Sequence, residues 1–475
     1  MTNSENDHNH LYRNKMILGP MVRIGTLPMR ILALQYGADL VYTDEIIDFK
    51  LIKSKRYVND ALGTIDFVDD DGVVVFRTCS LEKDRVILQI GTNDPDRAVI
   101  AAQMVEDDVA GIDINMGCPK SFSIKGGMGA ALLRKPDLVQ NIIRSLKAKI
   151  RKPISCKIRV FDSLDSTLNL LKLIEEAGAN AIAIHGRTID ERPRHPNRND
   201  YIRAAAYTLN IPVIANGDSC RINNYEDMKI FQEKTRASSV MVSRSAMKNC
   251  SIFDPSNMIK DVDDVIKEYL KLAIRYDNTT GNTKYCILQM LGNMQEYGIG
   301  KLVAGARDLK TISDIYEIND YYENICNSRN LYKQISIIPT SIQDNGHEDK
   351  SPINNDMIEL PIIFVKRVFA HSNYPKTILN KWLMKNNFEN PRFETKQIEK
   401  RFHSILYFQG KSYATPYLEN TKKNAEQSAA LVIIIKLGLC DDRKIIDTCM
   451  INKADNNSMS ILEYRHQGRT YLIRR

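Results

Sequence analysis

Eight short apolar runs separated by helix-patterned segments occupy residues 16 to 244, and this repetition constrains the fold more than any other feature. The runs are Met16 to Leu18, Asp39 to Tyr42, Val86 to Ile90, Ile112 to Asn115, Ile154 to Arg159, Ala181 to His185, Pro212 to Ala215 and Val240 to Ser243. Strands that alternate with helices indicate a parallel sheet, and eight of them favour an α/β fold of the (β/α)8 TIM barrel type. A further pair, residues 64–68 and 73–77 around Asp71-Gly72, predicts a hairpin inserted after the second strand.

The fourth run leads into Gly117-Cys118-Pro119 and then into the glycine-rich residues 125–130. Alternation places Asp113 and Asn115 on one small or polar face of the strand. A loop poor in side chains allows a ligand to approach the backbone closely, so a thiol beside it is a candidate chemical group. The opposing interpretation is that Cys118 is a small apolar filler, as most single cysteines are.

Catalytic groups of a barrel gather at the C-terminal ends of its strands, and polar residues collect at the predicted ends here. Any one of them could be structural, but their coincidence at one rim indicates a functional site. A lysine inside a barrel also requires an anionic or electron-rich partner. The strand-end residues are Gly19, Pro20, Met21, Thr43, Asp44, Glu45, Gln89, Asn115, Cys118, Lys157, Arg159, His185, Arg187, Asn216, Gly217, Asp218, Ser243 and Arg244.

The last two strand ends, residues 216–218 and 243–244, lie where barrel enzymes often bind a phosphate. Gln89, Lys157 and His185 would then face the electron-rich edge of a ring. The sequence has no GxGxxG after its first strand and no Walker loop, which argues against a Rossmann nicotinamide site and NTP hydrolysis. These residues predict a phosphate-bearing aromatic cofactor.

Length and composition predict two or three domains in a reducing compartment. A chain of 475 residues exceeds what one core usually supports. The nine cysteines form no CxxC pair and no zinc-like cluster, so we expect reduced thiols and no metal site. The polar first fifteen residues resemble no transit peptide, and no apolar run approaches the roughly 18 residues of a membrane helix. We therefore expect a cytoplasmic protein that could also enter the nucleus, and no membrane partner.

The positive charge is concentrated near the C-terminus. Residues 361–440 contain ten Lys and three Arg against five Glu and no Asp, a surplus equal to the +8 of the whole chain. Such a segment indicates a surface for a polyanion, although scattered lysines also occur on ordinary soluble surfaces.

The pattern divides the chain into six segments. After residue 255 it becomes helical, with helices expected near 261–275, 285–294 and 312–323. A stretch rich in Ser, Asn, Asp, Gly and Pro then predicts a linker. The segments are a polar extension (1–11), the barrel (12–255), a small all-α domain (256–336), the linker (337–357), a basic domain (358–440) and a tail of unknown role (441–475).

The ordered motifs of residues 16–244 resemble the tRNA-dihydrouridine synthases. They are Gly19-Pro20-Met21, Thr43-Asp44-Glu45, Gln89-Ile90-Gly91, Asn115-Met116-Gly117-Cys118-Pro119, Lys125-Gly126-Gly127-Met128-Gly129-Ala130, Lys157-Ile158-Arg159, His185-Gly186-Arg187 and Asn216-Gly217-Asp218. The resemblance implies a barrel that holds FMN, with NADPH as electron donor and a tRNA uracil that receives hydride at carbon 6. Cys118 would protonate carbon 5, a role that suits a thiol with an ordinary pKa of about 8.5.

The resemblance also implies roles for the other residues. Asn115, Lys125, Arg159 and Arg187 would lie near the uridine. The residues implied for FMN are Gly19, Pro20, Met21, Gln89, Lys157, His185, Asn216, Gly217, Asp218, Ser243 and Arg244. The target uridine must leave its stack to reach a barrel mouth, which predicts that the loop after Cys118 is open.

The basic domain follows an α-β-β-β-α order and resembles a double-stranded-RNA-binding domain. Lys422 and Lys423 open its last helix, where a bound phosphate would offset their unfavourable interaction with the helix dipole. Lys366, Arg367, Lys422 and Lys423 are the expected RNA contacts. The domain departs from the pattern at Glu426, where lysine is usual, and in lacking a GPxH loop. Barrel and basic domain together resemble the eukaryotic branch that modifies tRNA position 20.

Two other functions remain open at this point. A flavin oxidoreductase of a small pyrimidine or a quinone would use the same barrel but would leave the basic domain without a purpose. A non-catalytic RNA-binding protein would need the basic domain but not the strand-end residues. We expect a monomer that binds tRNA.

Overall fold

The structure is a computed structural model that describes residues 9–335, 357–369, 373–386, 388–437, 439–440, 449, 461–466 and 469–474. The chain divides into two compact units, residues 1–340 and 341–475. In the described residues no helix has the length and apolar character to cross a membrane.

The first unit contains a closed barrel of eight parallel strands, which confirms the predicted fold. Each of the eight strands pairs with its neighbour in sequence, and the eighth pairs with the first, which closes the barrel. A ninth, two-residue strand, Ile46–Ile47, pairs in parallel with the end of the third barrel strand. The apolar runs form strands because their side chains are buried on both faces, as parallel strands covered by helices require. The strands are β1 (Met16–Leu18), β2 (Leu40–Tyr42), β3 (Val86–Gly91), β4 (Gly111–Met116), β5 (Ile154–Arg159), β6 (Ala181–His185), β7 (Val213–Asn216) and β8 (Ser239–Val242).

Helices follow the strands and cover the outside of the barrel. Several begin at a proline or at a side-chain cap; Asp94 and Ser163, for example, accept hydrogen bonds from the backbone N–H groups of Arg97 and Ser166. The helices are Leu27–Gln35, Asp48–Ile52, Pro95–Val105, Ser121–Lys125, Pro136–Lys149, Leu164–Glu176, Asn199–Thr208, Tyr225–Thr235 and Arg244–Lys248.

The insertion after β2 has three antiparallel strands, one more than the predicted hairpin. Thr64–Val68 and Val74–Thr78 form the expected pair, and Lys55–Asn59 adds a third strand on the other side of Thr64–Val68. The added strand alternates half-buried and exposed side chains, and it contains no run of apolar residues that would have marked it.

The helices after the barrel share its hydrophobic core. They are Val262–Arg275, Thr280–Leu291, Gly298–Gly305, Leu309–Ile315 and Asn319–Ile335. The expectation of one helix over 312–323 is wrong, because the chain turns at Glu317 with φ +59°. The backbone N–H of Ile318 donates to the carbonyl of Ser313 across this turn, which closes the shorter helix.

In the second unit, two helices pack on one face of a four-stranded sheet. Helices Pro375–Lys385 and Lys422–Lys436 and strands Arg392–Ile398, Arg401–Phe408 and Lys411–Ala414 give the predicted α-β-β-β-α order. Strand Met357–Glu359 precedes them and pairs in parallel with Lys411–Ala414, so residue 357, the last of the predicted linker, belongs to a strand.

Some predicted segments lie wholly or partly outside the described residues. These are residues 1–8 of the polar extension, residues 337–356 of the linker and most of the tail. The described part of the tail includes an antiparallel hairpin of strands Ile461–His466 and Arg469–Arg474.

Candidate active site

A cavity of about 510 Å³ opens at the C-terminal ends of the barrel strands. Its volume is in the range of small-molecule cofactor sites. Thirteen of the predicted site residues line it: Pro20, Met21, Gln89, Asn115, Cys118, Lys157, Arg159, His185, Arg187, Asn216, Gly217, Ser243 and Arg244.

Three predicted residues lie outside this lining. Lys125 is exposed at the end of helix Ser121–Lys125. Asp218 accepts a hydrogen bond from Asn199 Nδ2 at 3.1 Å, so its carboxylate fixes the loop after β7. Gly19 allows close packing, since a Cβ atom there would lie 2.4 Å from Ser243 Oγ.

Strand register brings the polar side chains together in layers. In the parallel pairings, Asn115 is opposite Lys157, and His185 is opposite both Arg159 and Asn216. Residues at equivalent register in a closed barrel point inward at the same height, so motifs far apart in sequence meet at one level. The sequence predicted that these residues lie at the C-terminal ends of the strands. The strand register determines which of them lie next to one another.

Cys118 sits in a turn that Asn115 holds in place. Asn115 Oδ1 accepts hydrogen bonds from the backbone N–H groups of Gly117 and Cys118, both at 3.0 Å. Arg159 Nε donates to the Gly117 carbonyl at 2.9 Å from the neighbouring strand. These contacts fix the backbone from which the thiol projects.

The end of the glycine-rich segment packs against Cys118, whereas Lys125 and Gly126 at its start are exposed. The backbone N–H of Ala130 donates to the Cys118 carbonyl at 3.0 Å. Gly129 has φ +58°, and a Cβ atom there would lie 2.8 Å from that carbonyl and 2.4 Å from Ser123 Oγ. Glycine is therefore required here by protein packing.

The cavity is strongly cationic. Six cationic side chains line it against two carboxylates, those of Glu45 and Glu191. The cations are Lys120, Lys157, Arg159, Arg187, Arg192 and Arg244. Such a lining favours an anionic ligand.

Backbone carbonyl groups fix two of the arginines. Arg159 Nη1 donates to the Thr188 carbonyl at 2.8 Å, and the buried Arg187 donates from Nε to the His195 carbonyl at 2.8 Å. Arg187 Nη1 also lies 3.1 Å from His185 Nε2. An arginine can only donate, so this contact assigns His185 Nε2 as an acceptor and places its proton on Nδ1.

Burial and mutual repulsion shift the cationic groups toward their neutral forms. Burial, with the nearby charge of Arg159, lowers the pKa of Lys157 to about 8. Burial and the charges of Lys157, Arg159, Arg187 and Arg244 hold the pKa of His185 well below its usual 6.5. His185 is therefore neutral near pH 7, and the protonation of Lys157 is sensitive to the charge of a bound ligand.

A polar layer beneath the cavity was not predicted. Gln89 Nε2 donates to Asp113 Oδ2 at 2.8 Å, and Ser155 Oγ donates to Asp113 Oδ1 at 2.7 Å. Burial raises the pKa of Asp113 to about 6. Because one N–H of the Gln89 amide is bound to Asp113, its oxygen and its second N–H are available to a ligand.

Sequence reasoning assigned no role to several lining residues. Glu45 was noted at a strand end, and Gly117 and Pro119 were noted beside Cys118. Ser219 could have been predicted from its position directly after a strand end. No sequence pattern marked the loop after β6, which contributes Glu191, Arg192 and Pro193. The residues without an assigned role are Val22, Glu45, Gly117, Pro119, Lys120, Glu191, Arg192, Pro193 and Ser219.

The predicted RNA contacts of the second unit are exposed where they are described. Lys422 and Lys423 begin helix Lys422–Lys436, and Thr421 caps it by accepting from the Asn424 N–H at 3.1 Å. Lys366 is also exposed, and the N–H of Phe364 donates to Ser428 Oγ of that helix at 2.8 Å. The side chain of Arg367 lies outside the described residues.

The structure shows what replaces the usual lysine and the GPxH loop at the two positions where the sequence departs from the RNA-binding pattern. Glu426 forms an ion pair with Lys376 at 2.6 Å, so this carboxylate links the two helices of the domain. Ile398 pairs with Arg401, which leaves a two-residue turn of Glu399 and Lys400 between the first two strands of the pattern. This turn is too short to reach far into a groove.

Comparisons with known proteins agree with this architecture. Residues 17–301 match the family model described as Dihydrouridine synthase (Dus), and residues 375–437 match the Double-stranded RNA binding motif. The chain is 36% identical over 375 residues to a "tRNA-dihydrouridine(20) synthase [NAD(P)+]" of Schizosaccharomyces pombe, which covers 76% of this chain and 77% of the relative.

Two further relatives were found. A Saccharomyces cerevisiae protein with the same name is 38% identical over 301 residues, or 59% of this chain and 78% of the relative. A "Crystal structure of tRNA-dihydrouridine(20) synthase dsRBD domain" matches at 29% identity and a TM-score of 0.17, covering 18% of this chain and 93% of that one. On the family match and the two long alignments, the chain belongs to the dihydrouridine synthase family and carries a C-terminal double-stranded RNA binding motif.

Proposed function

We propose that this tRNA-dihydrouridine synthase reduces the D-loop uridine at position 20, with FMN as bound cofactor and NADPH as electron donor. The observation that carries the proposal is Cys118 at the rim of a cationic cavity whose lining contains the ordered strand-end motifs. The names of the two long relatives support position 20 and a nicotinamide electron donor.

The donor set of the cavity fits FMN. Ser243, Arg244 and Gly217 lie together at the ends of β7 and β8 and offer hydroxyl and guanidinium donors to a phosphate. Lys157, neutral His185 and the oxygen of Gln89 offer polar partners to the edge of a ring, and Pro20 and Met21 offer apolar contact to its face. When bound, FMN supplies the hydride that goes to uracil carbon 6.

Cys118 would supply the proton to carbon 5. Burial and the nearby charge of Glu45 raise the pKa of its thiol, so the sulfur carries a proton near pH 7. A general acid must be protonated and within reach of the carbon, and the Asn115 turn fixes the backbone for that purpose.

The remaining residues would bind the RNA. Arg159 and Arg187 line the cavity and would contact the uridine, while Lys125, exposed outside it, would contact a phosphate nearby. A cavity of about 510 Å³ has no room for a duplex, so the uridine must leave its stack. Lys366, Arg367, Lys422 and Lys423 would bind the phosphate backbone elsewhere on the tRNA.

The test uses an unmodified tRNA transcript incubated with the protein, FMN and NADPH, followed by mapping of dihydrouridine. We expect dihydrouridine at position 20 and its loss in a transcript with cytidine there. Product at other positions only would contradict the position, and reduction of free uracil at a comparable rate would favour a small-pyrimidine oxidoreductase.

A further inference from the structure

Glu45 lies at the cavity in the segment that follows β2, near Cys118. Its Oε1 accepts a hydrogen bond from Ser123 Oγ at 3.1 Å, and Ser123 is fully buried. Its Oε2 is buried without a hydrogen-bond partner among the described residues. An unpaired buried carboxylate oxygen lowers stability, so its retention at a reactive rim points to a use in the reaction.

Two glycines leave room for this arrangement. A Cβ atom at Gly91 would lie 2.6 Å from Glu45 Oε1. A Cβ atom at Gly129 would lie 2.4 Å from Ser123 Oγ and 3.1 Å from the Cβ of Cys118. Three separate segments, the ends of β2 and β3 and the loop after β4, are therefore shaped around Glu45, Ser123 and Cys118.

The charges around Cys118 oppose one another. Lys157 and Arg159 on β5 interact with the thiol and favour its thiolate form, which has no proton to give. Glu45 acts in the opposite direction: after burial, its charge is the next cause that raises the pKa of Cys118. Burial and, to a lesser extent, the Asp44 charge raise the pKa of Glu45 and so work against its ionised form. The Ser123 hydrogen bond favours the ionised form of Glu45.

We propose that Glu45 is a positioning residue for Cys118, with a carboxylate that keeps the proton on sulfur until the substrate takes it. The inference rests on the proposed function, in which the S–H bond breaks as the C5–H bond forms. The resulting thiolate regains a proton from water, and Glu45 itself transfers nothing. Without Glu45, burial would be the main effect left to oppose the two β5 cations.

The test compares the wild-type protein with Glu45→Gln, both full length and loaded with FMN. The pKa of Cys118 is read from the pH dependence of its alkylation by iodoacetamide, quantified on the Cys118 peptide by mass spectrometry. We expect Glu45→Gln to lower that pKa by about one unit. The alkaline limb of uridine reduction should move to lower pH by the same amount, while NADPH should reduce the flavin at an unchanged rate.

Glu191→Gln is the matched control, because it removes the other carboxylate of the cavity. Glu191 is engaged with Arg198 and with the N–H of Thr188, so the thiol pKa should not move. An unchanged or higher thiol pKa in Glu45→Gln would overturn the proposal, even if activity fell.

The wild-type protein provides a second measurement that does not depend on the folding of a variant. Its Cys118 pKa should lie above the ordinary value of about 8.5, and a lower value would also overturn the proposal. Failure of the proposed function would be distinguishable, because the wild type would then make no dihydrouridine, or Cys118→Ala would still make it, whatever the pKa of the thiol.

Discussion

Asn115 Oδ1 accepts the backbone N–H of Cys118 at 3.0 Å, and the same oxygen accepts the N–H of Gly117. Asn115→Ala removes both bonds, each worth about 1 kcal/mol, and frees the turn that carries the thiol. We predict a fall of about 10-fold to 100-fold in kcat for uridine reduction, since small displacements of a reacting group are costly. Single-turnover rates at saturating tRNA measure this effect.

Asn115→Asp is the control, because it keeps the acceptor and should retain the thermal stability that Asn115→Ala loses. Equal rates for Asn115→Ala and the wild type would show that the turn needs no support from this side chain.

The lowered pKa of Lys157 predicts how cofactor binding depends on pH. Its pKa is lowered to about 8, so the free protein loses this charge as the pH rises through 8. The unfolded chain keeps the proton up to about 10.5, so the stability of the free protein should rise with pH between these values. An electron-rich ligand favours the charged form, and FMN affinity should therefore fall above pH 8.

Titration calorimetry with FMN at several pH values tests this prediction, with Lys157→Met as the comparison. The variant should bind more weakly but lack the decline that Lys157 causes. The same decline in both proteins would assign it to another group.

A side chain at Gly91 should lower stability. A Cβ atom there would lie 2.6 Å from Glu45 Oε1 and 3.0 Å from Cδ1 of Ile47. We predict that Gly91→Ala lowers the free energy of unfolding by about 1–3 kcal/mol. Gly281→Ala is the control, because a Cβ atom at this helical position meets nothing within 4 Å. Equal melting temperatures for the two variants would contradict the packing described here.

The C-terminal unit should supply much of the electrostatic affinity for tRNA. Deleting residues 341–475 should weaken tRNA binding and reduce the slope of log affinity against log salt, while FMN stays bound. Lys422→Ala/Lys423→Ala in the full chain should reduce the same slope by a smaller amount. Unchanged affinity at every salt concentration would contradict the role of this unit.

The barrel was predictable because its signal is local and repeated. Each strand is a short apolar run, and polar residues follow at the strand ends that a barrel brings together. The pairing of Asn115 with Lys157 then follows from parallel register. The C-terminal helices and the three main strands were predictable for the same reason.

Features that depend on distant contacts were not predictable. The proximity of Glu45 to Cys118 requires Gly91 and Ser123 from two other segments. Strand Met357–Glu359 has only three residues and pairs with a strand more than fifty residues away. The helix break at Glu317 interrupts a sequence whose apolar pattern continues through it.

The most direct test of the central claim is the dihydrouridine content of unmodified tRNA incubated with FMN, NADPH and either the wild-type protein or Cys118→Ala. We predict product from the wild type and a loss of at least about 100-fold in the variant, the contribution expected of a general acid. NADPH should still reduce the flavin of the variant at the wild-type rate. Dihydrouridine from Cys118→Ala at the wild-type rate would contradict the account, as would its absence with the wild type.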